Sequence, residues 1–172
     1  MTPATEADLA VVSAQLGRPV RDVLGIAART LDGTPAVVST APRLADGTPF
    51  PTFYYLTHPA LVAAVSRLEA DGRMREWSAL VEQPDGVWAE QYAAAHTAYL
   101  ADREAAGEVP EIAGFSAGGM PLRVKCLHAL AGHALAAGPG VNPIGDLALS
   151  EAAEAEAPVR AAIGRWPAPA AR

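Results

Sequence analysis

The apolar positions of the chain repeat at two different spacings. Near the start of the chain and again after residue 57 they recur every three or four residues, which predicts helices with one buried face. The predicted helices cover residues 5–16, 57–70, 74–81, 87–106, 122–137 and 150–163. Thr5 is expected to cap the first helix, and Thr57 or His58 the second, where Pro59 stands in the first turn.

Between the first two helices, short stretches rich in β-branched and aromatic residues predict three strands. They cover residues 23–28, 36–40 and 53–56. The first two flank Asp32-Gly33, a pair that tolerates positive φ, so we expect a hairpin there. Strands come early and helices late, without βαβ alternation. We therefore predict an α+β fold, in which a small antiparallel sheet from the N-terminal third packs with a mainly helical C-terminal two-thirds.

The segments between these elements are expected to be loops and turns. Residues 41–51 and 107–119 read as structured loops, Pro84-Asp85-Gly86 as a break, and Asn142-Pro143-Ile144-Gly145-Asp146 as a sharp turn. A chain of 172 residues suits one domain with its own core. We expect that domain to span residues 1–166 and to be followed by a disordered tail, residues 167–172.

Composition and charge narrow the functional classes. The formal net charge of −6 argues against general nucleic-acid binding, which requires a basic surface. The single cysteine excludes an internal disulfide. We see no signal peptide and no apolar run of the roughly 20 residues that span a bilayer. The sequence therefore predicts a cytoplasmic protein that is not inserted in a membrane.

Several motifs together are similar to those of one bacterial family. They are Asp46-Gly47-Thr48-Pro49-Phe50-Pro51-Thr52, Tyr55-Leu56-Thr57-His58-Pro59, Arg123-Val124-Lys125-Cys126-Leu127-His128-Ala129 and Asn142-Pro143-Ile144-Gly145. Over roughly residues 18 to 150 the chain closely resembles the bacterial, mainly actinobacterial, family called domain of unknown function 501. The resemblance implies no particular activity. It implies a gene neighbourhood that contains enolase, a septum-formation initiator protein and an exopolyphosphatase-type enzyme.

Cys126, His128, His133 and His58 are the candidate metal ligands, and such a cysteine and histidine set suits zinc. Many relatives have cysteine at the position of His58, which fits a metal ligand or a helix cap. On a helix that starts at residue 122, Cys126 and His128 lie about 200° apart, and Cys126 and His133 about 10.5 Å apart along the axis. A helix that began only after Cys126 would free its thiol to turn toward His128. The alternative is a buried thiol and two hydrogen-bonded histidines.

The same residues suggest covalent catalysis. A lone cysteine with histidines elsewhere in the chain is the minimal pattern of a thiol nucleophile with its base, so Cys126 and His128 are candidate catalytic residues. His133 lies too far along the helix to be an easy base, whereas His58 would have to approach from the end of the third strand.

A third candidate site binds an anion. Gly118 and Gly119 precede a predicted helix whose first turns carry Arg123 and Lys125, and free N–H groups beside two cations suit a phosphate or carboxylate. Arg43 is expected to add a further cation. The alternative is that the glycines form a turn and the cations are solvated.

Two functions are therefore open. In the first, the protein binds a small anionic ligand or a metal at the central cysteine and histidine helix, with hydrolysis as the candidate reaction. In the second, it binds a protein partner without catalysis. The second function, in cell division or envelope physiology, is suggested by the gene neighbourhood that the resemblance implies. The first requires polar side chains that converge in a cavity, and the second an exposed apolar patch.

Overall fold

A computed structural model describes residues 1–83 and 86–169 of the chain. The elements are α1 (Glu6–Leu16), β1 (Val23–Arg29), β2 (Pro35–Thr40), β3 (Tyr54–Leu56), α2 (Pro59–Ala70), α3 (Arg73–Val81), α4 (Val87–Ala106), α5 (Leu127–Ala137), α6 (Pro143–Ala155) and α7 (Ala157–Ile163). A single 3₁₀ turn, Pro110–Ile112, lies between α4 and α5. The predicted α+β fold is confirmed. Within the described ranges, no helix is both long and apolar enough to cross a membrane.

The three strands form one antiparallel sheet in the order β1-β2-β3. Every residue of β2 is buried because both faces of the sheet are covered. Val38 packs with Val12 of α1 and Ile26 of β1 in a small cluster. Val37 belongs to the main core on the other face, together with residues of the helices from α2 onward. The β1–β2 hairpin falls where the Asp-Gly pair predicts it.

An ion pair fastens α1 to the sheet. Thr5 and Asp8 form a capping box, in which the Thr5 hydroxyl accepts the Asp8 N–H at 3.1 Å and the Asp8 carboxylate accepts the Thr5 N–H at 3.0 Å. The same carboxylate accepts two hydrogen bonds from the Arg29 guanidinium of β1, at 2.7 and 2.9 Å. These bonds lower the pKa of Asp8 well below its usual range.

Helix α5 is the centre of the main core, packed against β3 on one side and α6 on the other. Two glycines permit this close approach. Gly132 of α5 faces the backbone of Tyr54, and a Cβ added there would lie 3.4 Å from the Tyr54 carbonyl oxygen. Gly145 of α6 is tighter, since an added Cβ would lie 2.2 Å from the carbonyl oxygen of Leu130 and 2.7 Å from Cβ of Ala134.

The central helix begins later than predicted, at Leu127 instead of residue 122. The preceding segment is held in another conformation by longer-range contacts. The Val124 N–H donates to the Ser78 hydroxyl of α3 at 2.9 Å. The carbonyl oxygen of Gly118 accepts the N–H of Lys125 at 2.7 Å. Cys126 is the extended N-cap, so its side chain is not part of the helical array.

The end of the chain differs from its prediction in two ways. The expected turn at residues 142–146 is instead the start of α6, because the Asn142 side chain accepts the Gly145 N–H at 2.9 Å and Pro143 fits the first turn. The expected helix over residues 150–163 is divided at Glu156, since Pro158 has no N–H with which to continue α6. Residues 167–169 have no regular secondary structure, and residues 170–172, like Pro84 and Asp85 of the predicted break, lie outside the described residues.

A buried arginine fixes the loop that follows α4. Arg103, 2% exposed, donates from its guanidinium to the carbonyl oxygens of Ile112, at 2.8 Å, and Phe115. The Ile112 carbonyl oxygen also accepts the Phe115 N–H of the loop at 3.1 Å, so the charge-assisted bonds from Arg103 reinforce a turn that the loop itself forms. The loop leads directly to Ala117, Gly118 and Gly119.

The close contact at Gly145 gives a test of the packing between α5 and α6. Gly145→Ala is expected to lower the free energy of unfolding by about 3 kcal/mol or more, because the added methyl meets backbone. Gly132→Ala is the matched control and is expected to change it by less than about 1 kcal/mol, since its contact is near van der Waals distance and alanine favours helix. Urea unfolding followed by circular dichroism measures both. Equal losses in the two variants would contradict this packing.

Candidate functional site

Three side chains of different chemistry converge where α2 ends and α5 begins. Glu69 lies in the last turn of α2, Cys126 is the N-cap of α5, and His128 lies in the first turn of α5. One donor atom from each of the three lies within 4.8 Å of the others. Because the helix begins only after Cys126, the Cys126 thiol lies within 4.8 Å of the His128 imidazole. This contact is the one predicted from the sequence for a helix that begins there.

The Glu69 carboxylate organises the start of α5. Its Oε1 atom accepts the backbone N–H of Leu127 at 2.7 Å and lies 3.1 Å from Nδ1 of His128. A negative charge at a helix N-terminus is stabilised by the free N–H groups and the helix dipole. The first free N–H of α5 is therefore occupied by a carboxylate of the protein itself. The helix start near residue 122 on which the predicted anion site was based is not observed, because α5 begins at Leu127.

The hydrogen bonds of His128 determine where its protons lie. The Ser66 hydroxyl donates to the Val62 carbonyl oxygen at 2.8 Å. Nε2 of His128 lies 3.1 Å from that hydroxyl oxygen and 3.3 Å from that carbonyl oxygen, so Nε2 carries a proton and donates. Nδ1 then faces the Glu69 carboxylate, and this contact is favourable only with a proton or another cation between the two atoms.

Protonation equilibria follow from this geometry. The neighbouring Cys126 thiol and the charge of Glu69 outweigh burial and raise the pKa of His128 to about 9. The neighbouring His128 imidazole and the Ala129 N–H lower the pKa of the Cys126 thiol, against the opposing effects of burial and of Glu69. Without a metal, His128 is therefore an imidazolium near neutral pH, beside a thiol whose pKa is lowered.

Cys126 and His128 line a cavity of about 920 Å³, which we call the first cavity. A volume of this size accommodates a small organic molecule. Its lining is mainly apolar and aromatic: Leu16, Pro51, Tyr54, Tyr55, Leu56, Pro59, Val62, Ala63, Ala117 and Ala129, with Gln15, Thr52, Thr57, Gly118, Gly119, Lys125, Cys126 and His128. The reactive groups therefore lie at the wall of a space that a substrate can occupy.

The predicted anion-binding residues are divided by the structure. Gly118, Gly119 and Lys125 line the first cavity, whereas Arg123 is exposed and does not line it. Arg43 lies elsewhere, where it donates to the Glu111 carboxylate at 2.6 and 2.7 Å. Lys125 is thus the predicted cation that remains beside Cys126.

The two other predicted metal ligands do not join the group at Cys126. His133 is fully buried, its Nδ1 lies 3.1 Å from the side-chain nitrogen of Asn142, and its ring stacks on that of Tyr54 at 5.6 Å. Burial lowers its pKa to about 4, so His133 is a neutral residue of the core. His58 is the N-cap of α2. Burial lowers its pKa, against the opposing effect of the Asp32 charge in the β1–β2 hairpin.

Glu69 is the residue of this group that sequence reasoning missed. It lies in an ordinary amphipathic helix, where a carboxylate in the last turn is indistinguishable from a solvated one. The available signal is its spacing, because Val62, Ser66 and Glu69 recur at i, i+4 and i+7 and so share one face of α2. Without the position of α5, that face cannot be connected to Cys126.

Comparison with known proteins identifies one family. The family described as Protein of unknown function (DUF501) matches residues 26–150, which is more than half of the chain and includes Glu69, Cys126 and His128. No curated protein and no solved structure matches the chain.

The acid–base state of the pair can be measured through the reactivity of the thiol. In metal-free protein, the rate of alkylation of Cys126 by iodoacetamide is expected to rise with a midpoint below the ordinary thiol pKa of about 8.5. His128→Gln is expected to move that midpoint above the ordinary value, because burial and the Glu69 charge would then outweigh the remaining effect of the Ala129 N–H. Mass spectrometry across a pH series measures the rate.

His58→Gln is the matched control for this experiment and is expected to leave the midpoint unchanged. The imidazolium of His128 is present at neutral pH and is lost as pH rises through about 9. The rate at which iodoacetamide alkylates Cys126 should therefore not fall at any pH below that value. A midpoint in the wild-type protein at or above that of a free thiol would contradict the lowered pKa of Cys126.

Proposed function

The chain belongs to the DUF501 family of proteins of unknown function, and we propose that it is a hydrolase that binds a divalent metal ion of the zinc type through Glu69, Cys126 and His128. The observation that carries this proposal is the convergence of a carboxylate oxygen, a thiol sulfur and an imidazole nitrogen within 4.8 Å. Two of the three residues, Cys126 and His128, line the first cavity.

The donor set suits zinc. Zn²⁺ accepts sulfur, nitrogen and oxygen ligands, and a site with three protein ligands keeps a fourth position for water or substrate. A thiolate and a carboxylate together balance the charge of a divalent ion. The position between Nδ1 of His128 and Oε1 of Glu69, which requires a cation, would then be held by the metal in place of a proton.

The residues around the three donors support the same assignment. Metal-binding histidines usually donate their second N–H to a carbonyl or another acceptor, which fixes the orientation of the ring. Nε2 of His128 does so toward Ser66 and Val62. The Leu127 N–H fixes Glu69 in the same way, at 2.7 Å. The donors are thus oriented before any ion binds.

A bound zinc ion would lower the pKa of a coordinated water toward neutrality and so supply hydroxide for hydrolysis. The chain itself would contribute the three ligands, the apolar walls that exclude bulk water, and Lys125, whose ammonium group suits an anionic substrate group. In the reaction, oxygen from water bonds to the carbonyl carbon or phosphorus, the bond to the leaving group breaks, and the leaving group takes up a proton.

A second candidate function is nucleophilic catalysis by Cys126, favoured by the lowered pKa of its thiol beside His128. Glu69 is the argument for preferring the metal. Its charge raises the pKa of the thiol, and its carboxylate competes with the thiolate for the Nδ1 proton. Both functions require a reduced thiol, and we therefore place the protein in the cytoplasm.

Metal content tests the proposal. Protein purified without a histidine tag from zinc-supplemented medium is expected to contain zinc near one ion per chain by mass spectrometry. Cys126→Ala and Glu69→Ala are each expected to lower zinc affinity by about a hundredfold or more, because a ligand is lost. His58→Gln is the matched control, a histidine outside the group, and is expected to retain the metal.

A panel of p-nitrophenyl carboxylate and phosphate esters then separates the two chemistries. Hydrolysis that is lost on chelation and restored by zinc supports the metal-dependent reaction. Hydrolysis that survives chelation and is abolished by alkylation of Cys126 would favour the nucleophile instead. Wild-type protein that is isolated without metal and does not take up zinc on titration would refute the metal site.

A further inference from the structure

A second cavity, of about 520 Å³, lies beside the first. Leu16 and Tyr55 line both cavities, so the two spaces meet at these two side chains. The second cavity is bounded by the segment that joins α1 to β1 and by the loop of residues 41–51. It lies on the side of the sheet that α1 covers, where Val38 and Tyr55 of its lining pack in the small cluster with α1 and β1.

The wall of the second cavity combines apolar and charged side chains. Val20, Val38, Leu44 and Phe50 supply the apolar part, and Arg18 and Arg21 lie in the segment after α1. A molecule in this cavity would therefore have both apolar side chains and two guanidinium groups within reach.

The acidic and basic side chains of the second cavity differ in whether they already have a hydrogen-bond partner in the protein. The carboxylates of Asp22 and Asp46 also line it, but each already accepts a backbone N–H of the loop, from Ala45 and Thr48 respectively, both at 2.9 Å. Across residues 1–83 and 86–169, neither Arg18 nor Arg21 forms an ion pair, and both are exposed. One oxygen of each carboxylate is thus used by the loop, whereas the donors of both guanidinium groups are without a protein partner in these ranges.

We propose that the two cavities together bind an elongated amphipathic ligand, with an apolar body over Leu16 and Tyr55 and a terminal oxyanion, phosphate or carboxylate, at Arg18 and Arg21. Arginine is suited to this role because its planar donor fork matches such anions. The inference rests on the proposed function only in placing the reacting bond at the Cys126 end of the ligand. The binding itself requires no metal.

Calorimetric titration of the full chain with four ten-carbon probes tests the charge of the ligand. Decyl phosphate and decanoate are expected to bind at least about tenfold more tightly than decanol or decyltrimethylammonium. The double variant Arg18→Ala/Arg21→Ala is expected to lose roughly tenfold in affinity for decyl phosphate. Arg75→Ala, a change of an exposed arginine that lines neither cavity, is the control and is expected to stay within about twofold.

Alkylation of Cys126 tests whether one ligand occupies both cavities. Saturating decyl phosphate is expected to slow the reaction of Cys126 with iodoacetamide several-fold in metal-free protein, because the apolar chain reaches the first cavity. Butyl phosphate, which has the same anionic group on a shorter chain, is expected to give little protection. Protection by both probes, or by neither, would overturn the joined groove.

The remaining outcomes are also decisive. Tighter binding of decyltrimethylammonium would assign the second cavity to a cationic group at Asp22 and Asp46 and overturn the oxyanion. Equal binding of decanol, unchanged affinity in the double arginine variant, or no binding of any probe would overturn the inference as well. Arginine-dependent binding to a protein that takes up no zinc would leave this inference intact and refute the proposed metal site alone.

Discussion

The carboxylate of Glu69 is the contact on which the arrangement of the site depends. A helix must satisfy its first N–H groups, and α5 satisfies that of Leu127 with a side chain from α2. This fixes where the helix begins, and with it the extended conformation of Cys126 and the position of His128. The carboxylate is thus a cap for a helix, a partner for an imidazole and a proposed metal ligand at the same position.

Local sequence patterns predicted the fold where local interactions determine it. The hairpin, α1, α2 and α4 follow from apolar spacing and turn residues, and the structure has them close to their predicted bounds. The start of α5 was predicted wrongly because contacts with distant residues, Ser78 and Glu69, hold the preceding segment. At Asn142-Pro143 the same residue types suit a turn and a helix start, and the position of the following backbone decides between them.

The candidate site could be predicted only in part, for a related reason. The chemistry of cysteine and histidine is evident from residue type, but Cys126 and His128 come together only because α5 begins after Cys126, the condition under which the sequence predicted their contact. Residue type carries no information about direction, so it could not indicate that His133 turns into the core toward Asn142. Residue type also could not distinguish the Glu69 carboxylate from a solvated one, because its role depends on the tertiary contact between α2 and α5.

The hydrogen bonds of Arg103 have a consequence for recognition. Its guanidinium, buried under α4, holds the carbonyl oxygens of the loop that continues into Ala117, Gly118 and Gly119. These residues form part of the wall of the first cavity, which is therefore shaped before any ligand arrives. A wall fixed in advance has little conformational entropy left to lose on binding. Substitutions in α4, behind the wall and out of reach of a ligand, should therefore change affinity mainly through that entropy.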